Sequence, residues 1–519
     1  MHEYKIDHST LEAALSESLE KNISDLKETF ESCEDIDFYE TEIRNVKVCL
    51  VHQTNKKSGK EIFDIEQVLA TYKDSDFSLE SKAEVTAFFD QCFPFRGLKK
   101  ITNINDIVDK VLNSQTVLLV DGLSNALLFH SGEFIGRSVS EPTNERTVRG
   151  PQVGFVEDID VNLQLIRKRI KTPSLKVEYL IVGKQTKTKV ALVYLKGITD
   201  DDIVKEVHRR ISQIQIDGIL DSHYIESMIQ DSRMSPFPTI YSTERPDRVC
   251  ASLLDGKVAI ITDGTPYALT APALFVEFLH SGDDYYNGSL ISTAVRWIRF
   301  LGLFVTLILP AFYVAMTSFH QDLLQTPFLI RIAAVRQGLP YPVLIEAIFM
   351  FLTFELIREA SLRMPRTFGN ATLTILGLVL IGQAAVQSGL IGPVMAIVVS
   401  VTALTSFILP NYAFHQIIRL CGIPLLLLAG LFGFMGIIVG LMFGLTHLVS
   451  LRSFGVPYFS PVSPAQKEGW KDVFIRTPWW TMETRPPGLG VKNFTRAGEN
   501  IQPKVKDPFI EENQGDKNE

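Results

Sequence analysis

The sequence predicts an α/β two-lobed N-terminal cytoplasmic domain followed by an α-helical polytopic membrane domain, and three observations carry that reading. First, apolar residues are spread unevenly over the 519 residues. Up to about residue 295 the chain is charge-rich, as in "ESLEKNISDLKETFESCEDID", whereas Phe300 to Leu451 is dominated by apolar runs of membrane length. Second, "VLLVDGLSNAL" (117–127) and "AIITDGTPYAL" (259–269) both run apolar residues, Asp-Gly, three residues, then Ala-Leu, the pattern of strand, turn and strand. Third, "TKVALVYLKGITDDDIVKEVHRRISQ" (188–213) reads as a strand, a tight turn and a helix capped around Thr199 or Asp200, with acids in its first turn.

Taken in order, these signals divide the chain into four parts. Residues 1–140 form a first α/β lobe with a helical extension. Its opening, "MHEYKIDHSTLEAAL", has neither a basic n-region nor an apolar h-region, so this domain is expected to stay in the cytoplasm. Residues 141–295 form a second lobe, related to the first because the two Asp-Gly hairpins echo each other about 142 residues apart. Between the hairpins, "SEPTNERTVRGPQVGFVEDIDVNLQLIRKRI" brings Gly150 and Pro151 for a chain reversal and Arg146, Arg149, Glu157 and Asp158 for charge pairing. It is expected to be an anchored inter-lobe connection or an interface loop.

The transmembrane domain spans 296–451, with four or five crossings. Phe300–Phe319 is twenty residues without a charge, interrupted by Pro310 and preceded by Arg296, Trp297 and Arg299, which suit a cytoplasmic interface. An amphipathic segment at 322–338 carries Arg331 and Arg336. The next crossing, 341–357, holds Glu346 and Glu355. From Thr367 to Ile418 no Asp, Glu, Lys or Arg occurs in 52 residues, enough for two crossings with a turn at "QSGLIGP". The last run, Ile423–Leu445, has 23 uncharged residues with Gly430, Gly433, Gly436, Gly440 and Gly444 along one face, a pattern that lets membrane helices approach closely. Arg358, Arg363, Arg366 and Arg419 fit five crossings, but Arg452, Lys467, Lys471 and Arg476 in the polar C-terminal tail (452–519) pull its side toward the cytoplasm and leave the parity open.

Several functions are disfavoured. A net charge of −8 argues against nucleic acid as a partner. Cys33, Cys49, Cys92, Cys250 and Cys421 are odd in number and form no C-x-x-C pair, so neither a disulfide framework nor a zinc site is suggested. No phosphate loop, dinucleotide fingerprint, H-E-x-x-H or nucleophile elbow is present. The sequence therefore nominates no catalytic residue, metal ligand or cofactor.

The membrane half carries the chemistry instead. Glu355 has Arg358 at i+3 and belongs to a terminal charged cluster. Glu346 has no basic residue at i±3 or i±4, and an unpaired intramembrane carboxylate faces water or another subunit unless it sits in the helix's first turn. Gln383 and Gln387, four apart on one face, are further candidates for a polar lining or for interhelical hydrogen bonds.

Several long stretches, in order, resemble the A subunit of the GerA-type spore germinant receptors. They are "SEPTNERTVRGPQVGFVEDIDVNLQLIRKRIKTPSLKVEY", "ERPDRVCASLLDGKVAIITDGTPYALTAPALFVEF", "RIAAVRQGLPYPVLIEAIFMFLTFELIREASLRMP" and "FGVPYFSP…FIRTPWW". The resemblance implies a multi-pass subunit in the spore inner membrane, partnered by a transporter-like B subunit and a lipoprotein C subunit. It further implies a homo-oligomer in the lipid bilayer forming a nutrient-gated channel for monovalent cations, in which Glu346, Glu355, Gln383 and Gln387 are candidates for pore lining or subunit contact. The alternatives are a non-conducting scaffold that clusters receptor partners, a related sporulation membrane protein and, third, a secondary transporter.

Overall fold

The computed structural model describes residues 14–43, 46–54, 99–129, 141–363 and 370–498. Cys92, Arg366 and the chain beyond 498 lie outside the described residues. Two five-stranded antiparallel sheets make up the first half. The first is built from helix α1 (Leu19–Thr29), β1 (Ile36–Ile43), β2 (Val46–Gln53), β3 (Lys99–Ile101), α2 (Ile104–Leu112), β4 (Thr116–Val120) and β5 (Ala126–Phe129), in strand order β1-β2-β4-β5-β3. The second takes α3 (Ile159–Arg167), β6 (Leu175–Val182), β7 (Thr188–Leu195), α4 (Asp201–Ser212), α5 (Ser222–Ile229), β8 (Tyr241–Thr243), α6 (Pro246–Leu254), β9 (Val258–Thr262) and β10 (Ala268–Ala271), in order β6-β7-β9-β10-β8. The order is the same in both, and in the second lobe α4 and α5 lie between the second and third strands.

The repeat reaches individual hydrogen bonds. Thr116 faces Phe129 and Val258 faces Ala271, so both hairpins share one register displaced by 142 residues. Asp-Gly opens a connection longer than a two-residue turn, and its real task is to clamp the lobe's helix. Asp121 accepts from the first helical N–H, at Leu19 (3.1 Å), and Gly122 N–H donates to Glu17 O (2.9 Å). In the second lobe Asp263 accepts from Ile159 N–H (3.3 Å) and Gly264 N–H donates to Glu157 O (2.8 Å). Both glycines have positive φ, +81° and +87°, where a side chain is strained. A buried asparagine on each helix closes the loop before it: Asn22 exchanges two bonds with the Ser16 backbone, Asn162 two with Val156.

The lobes meet at β6. Cys33 forms a parallel bridge with Val177, and Arg167 grips Asp35 through Nε (2.7 Å) and Nη2 (2.8 Å), both side chains almost fully buried. A buried guanidinium retains its charge, so this fork-on-fork pairing is what makes its burial tolerable.

The second half is a bundle. After α7 (Asp283–Tyr286) come α8 (Ser289–Ser318), α9 (Thr326–Arg336), α10 (Val343–Arg363), α11 (Asn370–Gln387), α12 (Pro393–Ser406), α13 (Tyr412–Phe432) and α14 (Phe434–Ser450). Two of these, α8 and α13, are long and apolar enough to cross a membrane; α12 and α14 are shorter apolar helices. Packing fixes their directions. Near the lobes, Leu303 shares a cluster with Phe237, Phe278, Phe414, Ile418 and Leu448. Farther along α8, Ala311 and Ala315 meet Leu425, Ala429 and Ile437, while Tyr313 and Val314 meet Val343, Ala347 and Met395. Thus α8 and α13 run away from the lobes, and α10, α12 and α14 run back.

Three expectations change here. Ile423–Leu445 is not one helix: Gly433, with φ 61°, breaks it between α13 and α14. The five glycines therefore share no face. Gly430 lies against Leu344, Gly433 makes the turn beside His320, Gly436 lies against the backbone of Leu428, Gly440 meets Leu425 and Leu428, and Gly444 faces open space. Composition could not reveal the break, because glycine is tolerated in membrane helices and a positive φ leaves no mark in hydropathy. Second, the segment after 452 is not a free polar tail. Phe454, Val456, Leu489 and Val491 join the core of the second lobe, and Lys492 N–H donates to Ile198 O at 3.0 Å. Third, Arg296 and Arg299 are not open to their surroundings: both are covered by protein.

Candidate functional site

The polar groups that connect the lobes to the bundle begin in the loop after the first sheet. This loop is held by polar groups of β8, of the turn beyond it and of α7. Glu244 accepts from Thr143 N–H (2.6 Å) and from Asn144 through both its backbone N–H (3.3 Å) and its Nδ2 (2.8 Å). Glu145 accepts from the Thr243 hydroxyl and, at 3.4 Å, from Tyr241, and burial pushes its carboxyl up from the usual range. Arg245 donates to Glu145 O, Thr147 Oγ1 and Pro151 O. Asp283 accepts from the N–H groups of Val148 and Arg149, and the Tyr286 ring leaves no room for a Cβ at Gly150, where φ is +117°.

The result is a stiff turn whose tip faces solvent: Arg146 and Arg149 are exposed and Val148 is 94% exposed. Asp158 caps α3 by accepting from Asp160 N–H (3.1 Å), and the Glu157 carbonyl serves the Gly264 clamp. These two expected interface residues therefore act within the second lobe.

The junction follows directly. Asp284 on α7 takes Arg299 at 2.6 Å and Arg296 at 3.3 Å, and Arg296 also reaches Asp472 at 2.9 Å. A short helix folds back so that one carboxylate satisfies two guanidiniums. Their separations of 12 and 15 residues match no helical spacing, which is why the sequence did not reveal the pairing. His280, buried beside this cluster, has its pKa pushed well below the usual value, by burial first and then by the neighbouring arginines. From the far side, Arg476 N–H donates to Thr293 Oγ1 at 3.0 Å, so the chain after the bundle braces the base of α8.

Within the bundle, Glu346 is only 1% exposed. Its Oε2 accepts from Gly392 N–H (3.2 Å) at the N-terminus of α12, where the helix dipole favours a carboxylate, and Oε1 lies 3.4 Å from Arg336. That second contact is an ion pair without hydrogen-bond geometry. The partner stands ten residues upstream on α9, beyond any i±4 search. Glu355 pairs with Arg358 (3.1 Å) and with Arg419 on α13 (3.5 Å), tying α10 to α13. Gln383 and Gln387 are exposed on α11. The structure thus separates the four polar candidates: the carboxylates are used inside the chain, and the glutamines face outward. Among the described residues no group of three or more His, Cys, Asp or Glu is arranged to hold a metal ion.

Known proteins resemble this chain over most of its length. Residues 24–487 match the family described as Bacillus/Clostridium GerA spore germination protein. Spore germination protein KA of Bacillus subtilis (strain 168) is 38% identical over 494 residues, 94% of this chain and 90% of that protein. Spore germination protein GerLA of Bacillus cereus is 40% identical over 424 residues, 82% of this chain and 85% of that protein. Among solved structures, the N-terminal domain of the A subunit of the Bacillus megaterium spore germinant receptor GerK3 is 31% identical. That match covers 51% of this chain and 98% of the solved one, with a TM-score of 0.40. With the family matched from the first helix to the brace beyond the bundle, this chain belongs to the GerA family of spore germination proteins.

Proposed function

We propose that this chain is the membrane subunit of a nutrient-responsive germinant receptor, and that copies of it assemble into a ligand-gated channel releasing monovalent cations at the start of germination. It resides in the spore inner membrane with the lobes in the cytoplasm and works with a transporter-like B subunit and a lipoprotein C subunit. Helix directions support a crossing by each of α8, α10, α11, α12, α13 and α14, which returns the C-terminal segment to the side of the lobes, where it packs. Six crossings, against the four or five expected from the sequence, would put Arg452, Lys467 and Lys471 on the cytoplasmic side, as the positive-inside tendency asks.

The observation that carries the channel reading is on α11. Gln383 and Gln387 are exposed one turn apart, on a helix that also exposes Val379, Leu380 and Ile381. Uncharged amides on a membrane helix gain by facing water or a neighbouring copy rather than hydrocarbon. The test is Gln383→Cys and Gln387→Cys in the assembled receptor, with Cys421→Ser as background and a charged, membrane-impermeant thiol reagent. Modification at both positions from the aqueous phase supports a water-filled path. Protection at both, with a lobe-surface cysteine modified as control, contradicts it.

The scaffold reading keeps one observation in its favour, the stiff exposed tip at Arg146, Val148 and Arg149. Loss of receptor assembly on substituting that tip, with thiol access on α11 absent, favours it.

A further inference from the structure

The chain has four tryptophans, Trp297, Trp470, Trp479 and Trp480. One is on α8 and three lie on the segment that returns from the bundle, and that segment is fastened to the base of α8. Phe474 packs on Trp297 (6.2 Å between rings) and on Phe300 (5.2 Å), and Asp472 holds Arg296. Trp479 packs on Tyr285 (6.0 Å), whose ring also faces Arg296. Trp297 and Trp479 therefore stand by residues 293–300 of α8, just before its uncharged run, and Trp470 and Trp480 lie within six residues of Phe474 on the same fastened segment.

All four are also left open, with Trp297 56%, Trp470 41%, Trp479 48% and Trp480 43% exposed, and Ile475 between them 53% exposed. Exposed indoles in water are unfavourable, whereas the layer between headgroups and acyl chains suits a ring with an apolar body and one N–H. The dimensions agree. Helix α8, at about 1.5 Å per residue, is about 45 Å long, against a hydrocarbon core of about 30 Å. Its first turns thus stand in the headgroup layer. Lys467 and Lys471 are exposed on the same segment, placed for the phosphates of anionic lipids.

We infer that Trp470–Trp480 is an interfacial anchor that lies in the headgroup layer of the bilayer beside α8, fixing the depth of the lobes beneath the membrane. This rests on α8 crossing the bilayer, as proposed above, and the test separates the two. The full chain is reconstituted in liposomes whose acyl chains carry bromine either near the headgroup or near the chain end. One variant keeps only the anchor tryptophans (Trp297→Phe); a second replaces all four by Phe and adds Phe304→Trp inside the uncharged run.

The expected result is that the anchor tryptophans lose emission to shallow bromines and much less to deep ones, while Phe304→Trp is quenched by lipid and loses relatively more to deep bromines than they do. Anchor tryptophans that keep their emission with both lipids and are quenched by aqueous acrylamide, with Phe304→Trp still quenched by lipid, would overturn the anchor and leave the crossing intact. Anchor tryptophans shielded from both lipid and acrylamide would overturn it in favour of a protein partner. Absence of lipid quenching in both variants would remove the crossing and the anchor together.

Discussion

The two lobes share one fold and differ in what is attached to it. Both hold a helix by an Asp-Gly clamp and a buried asparagine. The first lobe meets the second through the stretch around Glu31–Asp35, by a parallel bridge, the buried Arg167–Asp35 pair, an exposed pair of Lys196 with Glu31, and a bond from Tyr179 N–H to Glu34. The second lobe, in contrast, receives the segment after the bundle into its core and leads through α7 into α8. Duplication thus supplied the scaffold, and the additions made one copy the base on which the bundle stands.

The largest expected effect tests the link between the lobes. Asp35→Ala leaves the Arg167 guanidinium buried without its partner and costs about 3–5 kcal/mol. Hydrogen exchange on the full chain in lipid nanodiscs will show β1 and β2 losing protection while β9 and β10 keep theirs. Equal loss in both sheets would mean that the lobes unfold as one body.

The buried asparagines sharpen the equivalence. Asn22→Leu and Asn162→Leu each strip two bonds from a loop backbone, and each is expected to cost roughly 2–3 kcal/mol in thermal unfolding. A large inequality between them would show that the attachments, not the shared fold, decide local stability.

A third prediction separates the lobes by pH. Asp255 in the second lobe lies 3.4 Å from Arg496, yet burial raises its pKa to about 6. A raised carboxylate pKa means that the folded state takes up a proton more readily than the unfolded one. Its contribution is complete below the unfolded value of about 4 and lost as pH rises through about 6. Wild type should therefore gain about 2 kcal/mol over Asp255→Asn between pH 7 and pH 4. Parallel pH profiles for the two proteins would contradict the assignment. The smallest effect is a matched pair: Gly122→Ala and Gly264→Ala meet no neighbour and should each cost about 1 kcal/mol of backbone strain.

Much of this plan was legible in the sequence. The strand, turn and helix at 188–213 stands as β7 and α4, with Asp200 capping by accepting from Asp202 N–H. The Asp-Gly echo located both hairpins because Asp and Gly each had a fixed stereochemical task. Pairings between elements distant along the chain were not legible. Glu346 with Arg336, Arg296 with Asp284, and Arg167 with Asp35 depend on how elements fold back on one another, which no local period encodes. The break at Gly433 and the tryptophan layer were hidden for the same reason: hydropathy records composition, while a turn and a shared depth are properties of the assembled bundle.

The most direct test of the account is cation release from proteoliposomes holding this chain with its B and C partners, before and after a mixture of amino acids and sugars is added. Gln383→Ala/Gln387→Ala and Glu346→Gln are run alongside. The account predicts nutrient-triggered release that falls in the double glutamine variant; Glu346→Gln, which weakens the hold on α12 and Arg336, should act through bundle stability and assembly. A folded, complete wild-type assembly that releases no ions would contradict the channel and turn attention to the lobes as a scaffold.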